Sequence, residues 1–250
     1  MTDIIAVIPA RLGSTRLARK VLADIHGHPL IWHVWSRVMQ AARPTGVYIA
    51  TDADEVADAA RGFGANVIMT SPECRSGTER IAQAVQALAE QGITPDGVIN
   101  VQGDEPLVDP GMIDALIASW DFALADLITP VFAIHDVAEI HNPNIVKVAR
   151  DARNRALYFS RSPIPYVRDT PPEAWLSKAQ FWGHIGVYGY TRAALLAYPA
   201  LPVSALETAE SLEQLRFLDA GYAFQTFETN YRPIAVDVQA DLERVRGLLA

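Results

Sequence analysis

The residues of this 250-residue chain best equipped for chemistry are cations gathered in one short stretch and carboxylates that follow apolar runs. From Asp3 to Lys20 the chain reads DIIAVIPARLGSTRLARK. An apolar run, Ile4 to Ile8, is broken by Pro9 and leads into a loop where Arg11, Arg16, Arg19 and Lys20 surround Gly13, Ser14 and Thr15. Backbone N–H groups and positive charge side by side suit a triphosphate. The loop lacks the G-x-x-x-x-G-K-[ST] spacing of a P-loop, so an ordinary charged surface loop stands beside that reading. Asp104, in VQGDEP, and Asp237, after Ile234 to Val236, each close an apolar run. Taken singly, Asp104 also reads as a turn former. Two carboxylates at the ends of neighbouring strands can share one or two metal ions, hold Mg²⁺ against phosphate oxygens and serve phosphoryl chemistry.

Other reactive residue types carry less. His26, His28 and His33 cluster as HGHPLIWH, but their spacing does not match a closed zinc site and no second ligand cluster exists, which favours a turn and a helix. His184 lies in GHIGVYGY, where an extended chain puts His184, Gly186, Tyr188 and Tyr190 on one face; the pattern alone favours a core histidine. There is no G-x-S-x-G elbow and no H-E-x-x-H. Cys74 is the single cysteine, which excludes an intramolecular disulfide and suits a reducing compartment.

These residues need elements to position them. Pro29 to Ala42 has helical spacing behind a starting proline, Val47 to Ala50 is strand-like, and Ala53 to Phe63 is helical up to Gly64. Asn66 to Met69 is a strand, the segment after Ser76-Gly77-Thr78-Glu79-Arg80 is an amphipathic helix, Gly97 to Val101 is a strand, and Asp109-Pro110 opens a helix to about Trp120. Strand alternating with helix predicts an α/β fold, a mostly parallel sheet with helices on both faces. Ligands of such sheets sit at the carboxyl ends of the strands, where the basic loop, Thr51-Asp52, the Ser76 segment and Gln102 to Asp104 all fall. The second half is richer in strands: Leu127 to Ile134, Ile145 to Arg150, Ala156 to Phe159, Phe181 to Tyr190 and Tyr222 to Glu228. Ser160 to Pro172 is a Pro-rich loop or dimer arm. Ala205 to Leu218 reads as one helix carrying Glu210, Glu213 and Gln214 on one face, and a last helix starts near Gln239. The expected organisation is a single domain: a nucleotide-binding core to about residue 125, a smaller β-rich lobe over about 126–200, and a return to the core over 201–250.

Half the residues are hydrophobic, a fifth are charged and the net charge is −8, the balance of an ordinary globule and a poor fit to nonspecific nucleic-acid or anionic-membrane binding. With no basic-then-apolar leader and no apolar run of bilayer length, the expected location is the cytoplasm.

With these segments in place, the sequence resembles the CMP-3-deoxy-manno-octulosonate synthetases, the cytidylyltransferases that activate the sugar acid of lipopolysaccharide. The blocks that carry the resemblance are IPARLGSTRL with Lys20, ATD at 50–52, SGTER at 76–80, NVQGDEP at 100–106, NPNIVKV at 142–148, ALYFSRSPIP at 156–165, HIGVYGY at 184–190 and LEQLR at 212–216. The resemblance implies a nucleotide-diphospho-sugar-transferase-like fold and attack of the sugar's anomeric hydroxyl on the α-phosphorus of CTP, with release of pyrophosphate. It assigns the triphosphate to Arg11, Ser14 and Lys20, and the cytosine and ribose to Ser76, Gly77, Thr78 and Arg80. Mg²⁺ goes to Asp104 and Asp237, and the sugar acid to Gln102, His184, Tyr188, Glu210, Glu213 and Gln214. A homodimer formed through the second lobe is implied as well.

Two departures from the family pattern stand out. Members usually read L-P-G-K where this chain has Leu17-Ala18-Arg19-Lys20, so a different loop path is expected, with Arg19 either on a phosphate or in solvent. Around Asp237 a Gly-rich approach and a Thr-Pro-Glu-Asp continuation give way to Arg232-Pro233-Ile234-Ala235 and Val238-Gln239-Ala240-Asp241, so the following helix lacks its Thr cap. Three rival readings remain: the same transfer to an 8-amino or nine-carbon acid, a catalytically silent sugar-nucleotide binder, and a metal-dependent glycosyltransferase, which predicts a D-x-D-like pair at the strand end where Asp104-Glu105 is followed by Pro.

Overall fold

The computed structural model describes residues 2–13 and 17–250. In chain order come β1 (Ile4–Ala10), the short antiparallel pair β2 (Asp24–Ile25) and β3 (His28–Pro29), α1 (Leu30–Val38), β4 (Val47–Thr51), α2 (Asp54–Gly62), β5 (Asn66–Met69), α3 (Gly77–Glu90), β6 (Gly97–Asn100) and α4 (Pro110–Ser119). There follow β7 (Leu127–Ile134), α5 (Val137–His141), β8 (Lys147–Arg150), β9 (Ala156–Ser160), β10 (Phe181–His184) and β11 (Tyr188–Thr191). The chain closes with α6 (Arg192–Ala197), α7 (Ala205–Glu210), α8 (Gln214–Asp219), β12 (Phe224–Glu228) and α9 (Gln239–Leu248). It divides into two compact units: Met1–Ala118 with Val187–Pro199 and Pro233–Ala250, and Ser119–Gly186 with Ala200–Arg232.

The first unit is built on the strand order β5-β4-β1-β6-β11. β1, β4, β5 and β6 are parallel, with Ala6 opposite Val47 and Ile4 opposite Gly97; β11 runs antiparallel, placing Tyr188 opposite Asn100. Five consecutive residues of β1, Ile4 to Ile8, are buried, as expected of a parallel strand covered on both faces. Helices supply the cover from apolar stripes. In α3 the buried residues Ile81, Ala84, Val85 and Leu88 recur at three- and four-residue spacing. In α1, Leu30, Ile31, Val34 and Val38 do the same behind Pro29. The chain leaves β1 toward β4 and β5, then crosses back to β6 on the other side of β1. β1 and β6 therefore flank the point where the strand order reverses, and in such sheets ligands sit outside the carboxyl ends of the strands there.

In the second unit the order is β12-β7-β10-β8-β9, with β12 parallel to β7 and the remaining pairs antiparallel. Phe159, Phe181, Phe217 and Phe224 fill its core.

Three elements differ from the sequence reading. The strand expected over 181–190 is two strands with different partners: β10 pairs with β7 and β8, and β11 with β6. The alternation of apolar and polar residues runs straight through the join, so nothing in the pattern marks the break. The helix expected over 205–218 is two helices, separated by Ser211 in the left-handed region at φ 52°. Arg161 anchors that break, giving Nε–H to the carbonyl of Glu210 at 2.7 Å and Nη2–H to that of Ser211 at 3.3 Å. Carbonyls at a helix end have no partner within the helix, and here a guanidinium supplies one. Glu210, Glu213 and Gln214 consequently do not share a helical face. Finally, Ile234 to Val236 forms no strand; the segment is held by Val236 N–H on the carbonyl of Asp104 at 2.9 Å.

Candidate active site

At the carboxyl ends of β1 and β6, the loops bring one lysine and two aspartates from distant parts of the sequence together. Lys20 Nζ lies 2.6 Å from Asp104 Oδ2 and 3.2 Å from Asp237 Oδ1. The lysine is the most enclosed of the three, its side chain 13% exposed against 28% for Asp104 and 39% for Asp237. Each is fixed by its backbone. Lys20 opens a 3-10 turn, Lys20–Leu22, entered through Arg19 at φ 56°, ψ 31°. Asp104 follows Gly103, where an added Cβ would come 2.7 Å from the carbonyl oxygen of Pro9. Only glycine lets this loop pack against the end of β1. Asp237 is held by Asp241, whose Oδ2 accepts the N–H groups of Asp237 at 2.9 Å and Val238 at 3.0 Å.

That last contact answers the missing Thr cap. Asp241 is the third residue of α9 and reaches back, as the acidic half of a capping box does, while Val238 has no side chain able to accept. Asp241 was not singled out from sequence; an acid three residues behind a helix start is the signal that would have found it. In the loop before Lys20, Arg19 has a positive φ, so the chain holds a left-handed turn there, and its solvent-exposed guanidinium pairs with Glu55.

The nucleotide-assigned residues occupy the same edge of the first unit. Arg11 directly follows β1 and is exposed; Ser14 lies outside the described residues. Ser76 caps α3, its Oγ accepting the N–H of Glu79 at 3.1 Å, and Gly77 and Thr78 form the first turn of that helix, the end whose dipole favours anions. Arg80 is a frame member: it is buried, giving Nη1–H to Thr70 Oγ1 at 2.6 Å and Nη2–H to Asp52 Oδ2 at 2.9 Å. It thereby ties the ends of β4 and β5 to α3. Gln102 donates to Asn100 Oδ1 at 3.2 Å, and the ring of Tyr188 stacks on Tyr190.

The remaining sugar-assigned residues belong to the second unit. The ring of His184 meets Phe159 edge-on at 5.2 Å, with Nε2 3.0 Å from Thr129 Oγ1. The Thr129 hydroxyl gives its proton to the carbonyl of Ile185 at 3.2 Å, so it accepts from Nε2–H. Burial pushes the His184 pKa down to about 3, which keeps the ring neutral. Glu210 accepts from Ser160 Oγ at 2.6 Å and from Arg161 N–H at 2.9 Å. Glu213 is exposed ahead of α8, and Gln214 is buried, its Nε2 without a partner among the described residues. Near Glu210 the fully buried Lys147 gives its ammonium protons to the carbonyls of Asn142 at 2.9 Å and Ile145 at 2.6 Å. Desolvation, then the nearby Arg161, lowers its pKa, and Glu210 opposes them. Neither Lys147 nor Arg161 was picked out from sequence, because a lone lysine or arginine carries no spacing signal.

The Asp104–Asp237 pair suits a hard divalent cation. Both are oxygen donors, and both reach one point, the ammonium of Lys20. Among the described residues no group of three or more His, Cys, Asp or Glu side chains gathers as a ligand set. Mg²⁺ needs no such cage, being held by one or two carboxylates together with phosphate oxygens and water.

The strand order is that of an α/β protein of the nucleotidyltransferase fold. Its family is narrower: residues 5–228 match the family model described as cytidylyltransferase, and the chain belongs to that family. It is 43% identical over 250 residues to the 3-deoxy-manno-octulosonate cytidylyltransferase of Chlorobaculum parvum, covering 98% of this chain and 97% of that one. The enzyme of the same name from Geobacter sulfurreducens is 41% identical over 97% of this chain and 98% of its own length. Among solved structures, a CMP:2-keto-3-deoxy-manno-octonic acid synthetase complexed with CTP superposes with a TM-score of 0.89 at 42% identity, covering 99% of this chain and 98% of that one. A 4-diphosphocytidyl-2C-methyl-D-erythritol synthase shares the fold, with a TM-score of 0.67 at 14% identity, 100% of this chain and 99% of that one being covered.

Proposed function

We propose that this protein couples CTP to 3-deoxy-manno-octulosonate, giving the CMP-sugar and pyrophosphate, with Mg²⁺ as its metal. The anomeric hydroxyl oxygen forms a bond to the α-phosphorus and gives up its proton to solvent water. The bond from that phosphorus to the bridging oxygen breaks in line, and pyrophosphate leaves with the electron pair. One observation carries the reading: Lys20, Asp104 and Asp237 converge on a common point at the carboxyl ends of β1 and β6. Relatives that share this chain nearly end to end supply the sugar.

The chain's own residues mainly position groups and balance charge, which suffices for phosphoryl chemistry. Arg11 and Lys20 bind the triphosphate tail, and the first turn of α3 faces the nucleoside. Asp104 and Asp237 would hold Mg²⁺; its chemistry there is neutralisation of phosphate oxygens and a lowered pKa for the attacking hydroxyl. His184, neutral and oriented by Thr129, offers the sugar acid an uncharged polar ring that does not add to the negative charge.

The test is pyrophosphate release with CTP and a panel of sugar acids: the eight-carbon octulosonate, its 8-amino derivative and a nine-carbon acid. Turnover with the octulosonate supports the proposal; turnover only with another acid reassigns the substrate. CTP binding without turnover on any acid replaces the reading with a silent binder. A role in lipopolysaccharide synthesis, a cytoplasmic location and a homodimer belong to the same proposal, and light scattering tests the last.

A further inference from the structure

The two carboxylates assigned to the metal are already engaged, and by a cation. We infer that Lys20 and the divalent metal are alternative occupants of one site: Lys20 is a built-in counter-ion of the two carboxylates, and it must move onto the triphosphate before Asp104 and Asp237 take a metal. The inference rests on the metal reading above and goes beyond it, because it makes Lys20 a competitor of the metal as well as a ligand of phosphate.

Geometry makes the two occupants exclusive. Lys20 Nζ is 2.6 Å from Asp104 Oδ2 and 3.2 Å from Asp237 Oδ1. Mg²⁺ bound to those oxygens at about 2.0–2.1 Å would put a dication against an ammonium with no space for solvent between them. The side chain can leave without unfolding anything. Its backbone stays anchored in the 3-10 turn, with the carbonyl of Lys20 accepting from Ala23 N–H at 3.0 Å, while the four-carbon stem is flexible. A polyphosphate gives the ammonium somewhere to go. Nucleotide and metal then assist one another through a single lysine, and such coupling is reciprocal. Metal alone binds weakly, since it must evict Lys20 with nothing to receive it.

The experiment measures Mn²⁺ binding by electron paramagnetic resonance on the full chain at one pH without nucleotide, circular dichroism having shown each variant folded. Lys20→Met should bind Mn²⁺ at least about fivefold more tightly than wild type, the lower end of ordinary coupling strengths. Arg19→Met removes the same charge one residue away, from a side chain paired with Glu55, and should stay within about twofold of wild type. Adding Asp104→Asn to Lys20→Met should abolish the gain. Equal or weaker binding by Lys20→Met overturns the inference, and so does an equal gain from Arg19→Met, which would reduce the effect to net charge. A separate arm tests the metal reading on which this rests: with CTP present, Asp104→Asn should lower Mn²⁺ uptake relative to wild type. Unchanged uptake there removes the metal site itself, whatever Lys20→Met does.

Discussion

At the scale of single residues, Asp104 and Asp237 have a function separable from the fold. Both are partly exposed, so replacing a carboxylate by its amide costs little packing. Asp104→Asn and Asp237→Asn should each lower turnover by at least about a hundredfold, the order seen when one charge-stabilising group is lost, with melting temperatures within a few degrees of wild type. Near-normal turnover in both would remove the paired-carboxylate mechanism. His184 makes a different prediction, on stability. Its folded pKa of about 3 lies below the ordinary 6.5, so between those values the unfolded chain binds a proton that the folded chain refuses. The stability from keeping the ring neutral is therefore complete above about pH 6.5 and is lost as pH falls toward 3. Urea midpoints of wild type should drop across that window more steeply than those of His184→Gln; parallel curves would show that the ring is protonated in the fold.

Elements carry predictions of their own. Gly103→Ala places a Cβ 2.7 Å from the carbonyl oxygen of Pro9, so the loop bearing Asp104 has to shift. It should destabilise by about 1–3 kcal/mol and depress turnover further than its stability loss explains. Gly77→Ala, whose nearest added contact is a 3.6 Å approach to Pro9 Cγ, should be close to neutral in stability. Arg19 holds a left-handed turn at a cost of about 1–2 kcal/mol for a residue with a Cβ, and its ion pair with Glu55 is exposed and contributes little. Arg19→Gly should therefore raise stability by about 1 kcal/mol in urea unfolding; a lower midpoint would mean that the Glu55 contact outweighs the strain. What was legible at this scale was the alternation of strands and helices in the first half, because apolar periodicity and Gly, Pro and Ser punctuation are local signals. The breaks at 185–187 and at Ser211 were not legible. One is set by a change of pairing partner and the other by Arg161, and both causes lie far away in sequence.

On the scale of the whole molecule, the candidate site was readable as a set of loops and unreadable as a geometry. Ligand-binding loops fall at one edge of a parallel sheet by topology alone, so Arg11, Lys20, the Ser76 turn and Asp104 could be grouped before any coordinates. Contacts inside the group could not: that Arg80 is spent on Asp52 and Thr70, that Arg19 turns to Glu55, and that Asp241 restrains Asp237 depend on side-chain directions that periodicity does not encode. Net charge argues in the same way. A total of −8 disfavours an anionic substrate in general, yet the cations that matter occupy a stretch of a few residues, and composition averages them away.

Lys20 and Asp237 are 217 positions apart, and the backbone bond from Val236 to Asp104 seats the late segment beside the early one. A polypeptide cut off before Pro233 would keep every strand of the parallel sheet and one carboxylate, while lacking the other. The pairing of the two carboxylates therefore depends on the segment from Pro233 docking beside the loop that follows β6.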